Sequence, residues 1–343
     1  MATKKKTGFQ QVADVAGVGI ATVDRVLNER GNTSLEATRK VLEAARQLGL
    51  NRILPRAYRK LTRIEVLLAR PELPLISRMN QEFQRLSARI DRSVVVQRTI
   101  LGDEEPETIA AAIRRTTCDG VIVYAPEHAL IHAAIAEARA RDVPTVTMIS
   151  DLPHSDRLAY AGIDHYKAGR TAAYFLAGMV GRRGPLLILC SHFAVLGHAE
   201  RIRGCTDCLA ENSNALSITE ILEGHDQLEL SETLLRAALK RRPDTVAIYN
   251  AGAANRAVTA AIDGAKLETK PIFIGHELTE NTRAMLRSGL MTLAIDQNPE
   301  QQARSAVDVL LHHFGFVEAN WMTVPYVPNT SFTLYGPENV PAG

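Results

Sequence analysis

Apolar residues in the first 50 positions recur at helical spacing in three short stretches. The spacing predicts three helices, at about Phe9 to Ala16, Ile20 to Asn28 and Leu35 to Leu48. Gly17 and Gly49 are placed to end the first and third helices, and Ser34 is placed to cap the third. Since only three residues separate the first two helices, we expect these helices to cross steeply, as in a helix-turn-helix.

From residue 64 the pattern changes to short β-branched runs that alternate with helical stretches. The first series predicts strands in IEVLL, SVVVQ, GVIVY and TVTMI, with helices near Ser77 to Ile90, Glu105 to Thr116 and His128 to Arg141. A second series follows the polar stretch 150–157. Its predicted strands lie at about Leu158 to Ile163, Pro185 to Leu189, Ser217 to Leu222, Thr245 to Tyr249, Pro271 to Gly275 and Met291 to Ile295. This alternation is typical of parallel sheets covered by helices on both faces.

The two series are too long for one sheet, so we expect an α/β fold with two doubly wound parallel-sheet lobes and a cleft between them. The predicted organisation is a three-helix head at 1–50, a linker at 51–63 and a two-lobed domain at 64–343. The first lobe would span about 64–150 with a late crossover, and the second about 158–290. Open α/β sheets bind ligands beyond the carboxyl ends of their strands. Residues at strand ends are therefore candidates for lining the cleft.

The charge of the chain is divided unevenly between its two parts. Of the 343 residues, 46% are hydrophobic, and 40 Lys and Arg nearly balance 38 Asp and Glu. Residues 1–63, however, hold 13 basic and 5 acidic side chains, a net charge of +8, and the remainder has a net charge of −6. A basic head on a mildly acidic body indicates nucleic acid or an anionic membrane as a partner for the head alone.

Exported and membrane-spanning proteins are disfavoured by the sequence. The basic run Lys4 to Lys6 does not lead into the apolar segment of a secretory signal, and the sequence contains no run of about 18 apolar residues. The cysteines Cys118, Cys190, Cys205 and Cys208 suit a reducing compartment. We therefore expect a cytoplasmic protein with no membrane partner.

Motifs for catalysis, metal or cofactor binding are not evident. Cys205 and Cys208 form a C-x-x-C inside a predicted helix but have no second cysteine pair. A P-loop, a G-x-G-x-x-G, a nucleophile elbow and an H-E-x-x-H are all missing from the sequence. We expect no cofactor, no metal and no enzymatic activity.

The second predicted helix carries side chains suited to reading DNA near its start. Arg25 can donate twice to guanine, Thr22 can bond a base or phosphate, and Ala21 can pack on a thymine methyl. Arg39 on the third helix and the basic run Lys4 to Lys6 suit phosphate contacts. The alternative is an ordinary three-helix bundle with a solvated basic face.

The head also contains a dense set of short motifs. These are Val12-Ala13, Ala16-Gly17-Val18, Ala21-Thr22-Val23, Arg25-Val26-Leu27-Asn28, Thr38-Arg39 and Leu48-Gly49-Leu50. They resemble the head of the LacI family of bacterial transcriptional regulators, and the body resembles the sugar-sensing cores of that family and of periplasmic monosaccharide-binding proteins. The resemblance implies a homodimer that binds double-stranded operator DNA, a small effector bound in the body, and a hinge helix that enters the minor groove.

The head and linker depart from the family pattern at several positions. Gly19 stands where the family usually has a capping Ser, and Asp24 replaces a common Ser and would repel the DNA backbone unless paired. Leu54 and Leu61 are both candidates for an apolar wedge in the minor groove, whereas the alternative is that 51–63 is only a solvated linker. The residues expected to contact DNA are Ile20, Ala21, Thr22, Arg25, Asn28, Arg39, Leu54, Arg56 and Leu61.

The body carries two family-like segments and several polar strand ends. The segment from Asp164 to Gly169 resembles a D-x-x-x-x-G, and Arg201 to Gly204 resembles an R-x-x-G whose Arg reaches a bound sugar. Glu277 replaces a family Asp, which lengthens that side chain by one methylene. The predicted effector residues are Asp151, Asp164, Arg201, His225, Asn250, Glu277 and Gln297. Aromatic residues amount to only 5% of the chain, so a sugar, a sugar acid, a sugar phosphate and a glycoside all stay open as effectors.

Together these features predict a ligand-responsive transcriptional regulator that acts as a repressor. A two-lobed carbohydrate-binding protein for transport is the main alternative, but a basic head has no evident use in such a protein. An α/β enzyme that acts on carbohydrate is the third alternative, and no nucleophile and base pair supports it.

Overall fold

A computed structural model of the chain describes residues 8–28, 30, 33–48, 61–90, 93–212, 215–265, 267–316 and 330–341. The head consists of three helices, α1 (Phe9–Ala16), α2 (Ile20–Leu27) and α3 (Leu35–Gln47). Their apolar faces meet at Val12, Val23 and Val41, which are fully buried. Gly17 ends α1 in the left-handed conformation, with φ 65°, and Ser34 Oγ accepts a hydrogen bond from the Ala37 amide at 3.2 Å. The predicted three-helix head is confirmed.

The first lobe is a parallel sheet with strand order β2-β1-β3-β4-β5. In chain order its elements are β1 (Thr62–Leu68), α4 (Pro74–Arg89), β2 (Val94–Ile100), α5 (Pro106–Arg115), β3 (Gly120–Val123), α6 (Ala129–Ala140), β4 (Thr145–Met148) and β5 (Ala159–Ala161). Helix α4 packs on one face of the sheet, and α5 and α6 pack on the other.

The strand predicted at Leu158 to Ile163 belongs to the first sheet, whereas we expected it to begin the second. Ala159 pairs with Val146 of β4 in parallel register. The segment between β4 and β5 forms no helix, although parallel neighbours are usually joined by a helical crossover. In the sequence, the polar stretch 150–157 suggested a boundary between the two lobes at this connection.

The second lobe is a sheet with order β11-β10-β9-β8-β6-β7. Its elements are α7 (His165–Met179), β6 (Gly184–Cys190), α8 (Leu196–Asn212), β7 (Leu216–Glu223), α9 (Leu228–Arg241), β8 (Ala247–Asn250), α10 (Asn255–Gly264), β9 (Ile272–His276), α11 (Glu280–Arg287), β10 (Leu293–Asp296) and β11 (Thr333–Tyr335). The last strand is antiparallel to β10. The second sheet therefore extends beyond the boundary predicted near residue 290.

Helix α12 (Pro299–His313) follows β10 but packs on the first lobe. Val307 and Leu310 are almost completely buried there, and burial of each such side chain is worth about 1.5–3 kcal/mol. The chain thus returns to the first lobe after β10. In the described ranges, none of the helices combines the length and the apolar composition that crossing a membrane requires.

Two glycines allow α7 and α8 to approach closely. A Cβ on Gly169 would lie 1.9 Å from the Arg201 carbonyl oxygen, and one on Gly204 would lie 2.1 Å from the Tyr166 carbonyl oxygen. Both obstacles are backbone atoms, so a side chain at either position forces the helices apart. The glycines of the D-x-x-x-x-G and R-x-x-G segments therefore set the contact that positions Arg201.

We predict that Gly169→Ala lowers the free energy of unfolding by about 1–3 kcal/mol, because it overpacks this contact. Gly178→Ala is the matched control. Gly178 lies in the same helix, and a Cβ there would meet nothing within 4 Å, so the helix-favouring alanine should raise stability by about 0.5–1 kcal/mol. Urea unfolding of both variants checks this. A Gly169→Ala protein as stable as the control would contradict the close helix contact.

Candidate functional site

A cavity of about 60 Å³ lies between the two lobes. It is several times larger than the smallest cavity that holds a water molecule. The first lobe contributes mainly apolar groups, which are Leu73, Leu75, Ile76, Tyr124 and Ile149. The second lobe contributes most of the polar groups, which are His165, His198, Arg201, Asp226, Glu277 and Gln297. A small ligand here would meet one apolar wall and one polar wall.

Arg201 is the buried cation of the polar wall. Its side chain extends from α8, and the residue is only 3% exposed. Nε donates to His165 Nδ1 at 3.1 Å, and Nη1 donates to the Ala251 carbonyl at 2.6 Å. Burial lowers the pKa of Arg201. Both acceptors are uncharged, and Nη2 is the guanidinium nitrogen that these two bonds do not use. Nη2 can therefore donate to a ligand oxygen.

His165 is the neutral imidazole that supports Arg201. Burial and the neighbouring guanidinium hold the pKa of His165 well below its usual value. Because Nδ1 accepts from Arg201, the ring proton lies on Nε2, which donates to the Ile149 carbonyl at 2.5 Å. The Ile149 amide donates to Gln302 Oε1 at 3.2 Å, and Gln302 Nε2 donates to the Gln297 carbonyl at 2.9 Å. Four hydrogen bonds therefore connect Arg201 to the segment that follows β10.

Glu277 and Gln297 form the second polar pair in the cavity. Gln297 Nε2 donates to Glu277 Oε1. The other two oxygens, Glu277 Oε2 and Gln297 Oε1, are buried and bond to nothing within the described part of the chain. Burial, followed in size by the nearby Asp296, raises the pKa of Glu277 to about 7. Gln297 Oε1 can accept from a ligand hydroxyl, and Glu277 Oε2 can accept from one when the carboxyl is ionised or donate to one when it is protonated.

Strained backbone marks the strand ends around the cleft. Six non-glycine residues have positive φ at these strand ends: Arg70, Ile149, His225, Asp226, Glu277 and Asn298. Ile149, with φ 66°, is the sharpest case because its side chain is β-branched. Strain of this kind is typical of ligand clamps and switch regions.

The lobes are bridged beside the cavity by Arg78 of α4. Its Nη1 and Nη2 donate to the two carboxylate oxygens of Asp296 at 2.6 and 3.1 Å, and Nη1 also donates to the Leu278 carbonyl at 3.1 Å. Asp296 and Leu278 belong to the second lobe. Elsewhere, the Gly197 amide donates to Ser150 Oγ at 3.1 Å. The first-lobe helix α4 is thus tied directly to the ends of β9 and β10.

Of the seven predicted effector residues, the structure brings Arg201, Glu277 and Gln297 to the cavity. Asn250 is fully buried, but its side chain bonds Asn255 at 2.8 Å and the Gly252 amide at 3.0 Å. These bonds close the turn after β8, and Asn250 is not among the described residues that line the cavity.

The other three predicted residues have local partners instead. Asp164 caps α7 by accepting from the Lys167 amide at 2.9 Å. Asp151 accepts two bonds from Arg157, at 2.5 and 2.7 Å. The His225 ring lies edge-on to His192, with centroids 5.2 Å apart. The structure therefore does not place these three side chains among the lining residues.

Three further residues, Tyr124, His198 and Asp226, line the cavity but were not predicted from the sequence. Tyr124 directly follows β3, so the strand-end rule applied to it as well. Asp226 adjoins the predicted His225 and accepts from the Ala253 amide at 2.8 Å. His198 lies on α8, one turn before Arg201, and burial lowers its pKa to about 4. Helical spacing from Arg201 was the signal for His198.

One face of α2 in the head is open to solvent. Ile20, Ala21 and Arg25 are exposed on it, and Thr22 and Asn28 are half-buried. Arg39 is exposed on α3, and Leu61, just before β1, is 46% exposed. Leu54 and Arg56 lie outside the described residues.

Within the described ranges, no three His, Cys, Asp or Glu side chains are grouped as metal ligands would be. Cys205 and Cys208 are free, buried thiols in α8. The cleft is built from hydrogen-bonding groups and apolar side chains, which suits binding of an organic ligand.

Two family models match the chain. One, described as bacterial regulatory proteins of the lacI family, matches residues 9–51. The other, described as a periplasmic binding protein domain, matches residues 64–315. A search of curated protein sequences finds no match.

Several solved structures share the fold of the body. An ABC transporter solute binding protein from Burkholderia graminis, in complex with D-arabinose, has a TM-score of 0.74 at 19% identity and covers 82% of this chain and 97% of its own. A glucose-galactose binding protein from Geobacillus stearothermophilus has a TM-score of 0.74 at 20% identity, with 82% and 100% covered. A solute binding protein from Actinobacillus succinogenes with bound D-allose has a TM-score of 0.70 at 18% identity, with 81% and 98% covered. These similarities establish the two-lobed fold.

The raised pKa of Glu277 predicts a pH-dependent stability. Between pH 4.5 and about 7 the folded protein keeps a proton that the unfolded chain has released, so this group's contribution to stability falls as pH rises through that window. Glu277→Gln removes the titration. We expect the free energy of unfolding of the wild type, minus that of the variant, to fall by up to about 3 kcal/mol from pH 4.5 to 7.5.

Denaturant unfolding at a series of pH values measures this difference. The buried histidines His165, His198 and His276 have lowered pKa values, so their contributions rise with pH in the same range. They are present in both proteins and largely cancel in the comparison. A difference that stays constant with pH would show that Glu277 ionises normally.

Proposed function

This chain belongs to the lacI family of bacterial regulatory proteins and carries a periplasmic binding protein domain, and we propose that a neutral sugar held between its lobes sets its affinity for operator DNA. The observation that supports this most is the combination of a helix-turn-helix head with a cavity in which two buried side-chain oxygens, Glu277 Oε2 and Gln297 Oε1, have no partner among the described residues. The head supplies DNA recognition, and the cavity supplies a site for a small ligand rich in hydroxyl donors.

The charges of the cavity favour a neutral effector over a sugar acid or sugar phosphate. The lining includes one guanidinium, Arg201, and two carboxyl groups, Asp226 and Glu277. The lining histidines His165 and His198 are neutral because burial lowers their pKa values. An anionic effector would therefore meet no excess of positive charge. Hydroxyl groups can accept from Arg201 and donate to the carboxyl groups at the same time.

The apolar wall suits the carbon face of a sugar ring. Leu73, Leu75 and Ile76 precede or begin α4, and Tyr124 follows β3, so all four belong to the first lobe. A sugar held between these residues and the polar wall would contact both lobes. The D-arabinose, D-allose and glucose-galactose proteins that share this fold support a monosaccharide as the effector class.

Effector binding would act on DNA through the relative position of the lobes. A ligand that contacts both walls stabilises one lobe arrangement, and DNA binding by a homodimer requires its two heads to match the spacing of the half-sites. Any such coupling is reciprocal, because each ligand must change the affinity for the other by the same factor. We propose that the protein represses transcription as a cytoplasmic homodimer and that it has no enzymatic activity.

The balance of charges in the cavity predicts the class of effector. Neutral pentoses and hexoses should raise the thermal unfolding temperature of the full chain, whereas matched aldonic acids and sugar phosphates should not. A thermal-shift screen with each neutral sugar beside its acid and phosphate measures this. Stabilisation by an anionic sugar alone would refute the neutral-effector proposal.

Arg201 is predicted to be required for the effector response. In the presence of a sugar from that screen, the wild type should change its affinity for operator DNA, and Arg201→Ala should bind DNA but show no change. Fluorescence anisotropy with a labelled duplex is the measurement. Arg203→Ala is the matched control, since Arg203 lies on the same helix, exposed and paired with Glu200 at 2.5 Å, and should behave as the wild type.

Removing a buried guanidinium leaves His165 Nδ1 without its donor, so Arg201→Lys is the second variant. It keeps the cation but loses the planar fork, and it should weaken the effector at unchanged DNA affinity. A normal response in both Arg201 variants would disprove the assignment. A wild-type chain without sequence-preferring DNA binding would disprove the regulator itself.

A further inference from the structure

A carboxylate lies on the face of α2 that is placed to meet DNA. Ile20, Asp24 and Asn28 follow one another at four-residue spacing, so they share one side of the helix, and the exposed Ala21 and Arg25 lie beside them. An unpaired negative charge on this face would be repelled by the phosphates of a duplex. The position of Asp24 is therefore unfavourable for DNA binding unless another group pairs with its carboxylate.

The structure shows that Asp24 is paired on both oxygens. Oδ1 accepts from Asn28 Nδ2 at 2.6 Å, and Oδ2 accepts from Arg30 Nη1 at 2.7 Å. The Arg30 amide also donates to the Arg25 carbonyl at 2.9 Å, which keeps Arg30 close to the C-terminal turn of α2. The side chain of Arg30 is 65% exposed and that of Asp24 is 31% exposed. Arg30 is thus held against the polar face of the helix with much of its guanidinium in solvent.

The pair contributes little to the stability of the free protein, because exposed ion pairs of this kind are weak. Its geometry is informative for DNA binding. A guanidinium has five N–H donors, and the contact with Asp24 occupies one of its three nitrogens. A recognition helix reads bases mainly with its first residues. Arg30, just beyond the C-terminal end of α2, is therefore placed beside the sugar-phosphate backbone of the duplex.

We infer that Arg30 contacts a phosphate of bound DNA and that Asp24 is the residue that positions it. This inference rests on the proposed function, since it requires the head to bind operator DNA. It gives Asp24 a favourable role at the interface, in place of simple repulsion. An aspartate that only repels and an aspartate that positions an arginine predict opposite effects when Asp24 is removed.

The test uses the full chain and two labelled duplexes, one enriched from a randomised library by the wild type and one scrambled version of it. Anisotropy titrations over a salt series compare Arg30→Ala, Asp24→Ala and the double variant. Arg30→Ala should weaken both duplexes by about three- to tenfold and reduce the slope of log affinity against log salt by about one per head. Asp24→Ala should also weaken binding, although it removes a negative charge.

The double variant should bind no more weakly than Arg30→Ala, because Asp24 acts through Arg30. Glu36→Ala is the matched control. Glu36 pairs with Lys40 at 2.9 Å on α3, and its removal should leave binding unchanged or slightly tighter. This control measures the general effect of deleting one acidic side chain from the head.

Tighter binding of both duplexes by Asp24→Ala would overturn the inference, as would an unchanged salt slope in Arg30→Ala. A loss confined to the enriched duplex would overturn the phosphate assignment, and additive losses in the double variant would overturn the positioning role. A wild type that binds both duplexes equally would instead disprove the proposed function.

Discussion

The desolvated guanidinium of Arg201 is the constraint around which the cleft is organised. Its two hydrogen bonds go to His165 and to the Ala251 carbonyl, both uncharged, and removing a charge from water onto neutral acceptors is costly. The surrounding structure compensates for that cost by geometry. Gly169 lets α7 lie against the backbone of Arg201 itself, and His165 can accept from Arg201 only while it stays neutral. The lowered pKa of His165 is therefore part of what holds the cation in place.

This charge is connected to both lobes by a continuous path of hydrogen bonds. The path runs from Arg201 through His165, the strained Ile149 and Gln302 to the carbonyl of Gln297. An effector that bonds both Arg201 and Gln297 would contact the two ends of this path. Connectivity alone does not transmit a signal, because coupling requires two arrangements that the ligand distinguishes. The positive φ of Ile149 identifies the point on the path where backbone energy is stored.

Sequence patterns predicted where helices and strands lie better than they predicted which elements pack or pair with one another. Helix α1 ends where Gly17 indicates, since the stop signal is local, and the R-x-x-G spacing brought Arg201 to the cleft because Gly204 acts within the same helix. The sheet to which β5 belongs was predicted wrongly, because strand pairing depends on which lobe a crossover joins. Asn250 and Tyr124 both end or follow central strands, but only Tyr124 lines the cavity. Spacing places a residue at a sheet edge, whereas side-chain direction depends on the turn after the strand.

The central claim is that the cleft and the head are energetically coupled. Isothermal titration calorimetry of the effector sugar, with the protein free and then saturated with operator duplex, tests it most directly. We expect operator to change the effector Kd by the same factor by which the effector changes the operator Kd. An effector Kd that operator leaves unchanged, for a protein that binds both, would show that the cleft and the head are not coupled.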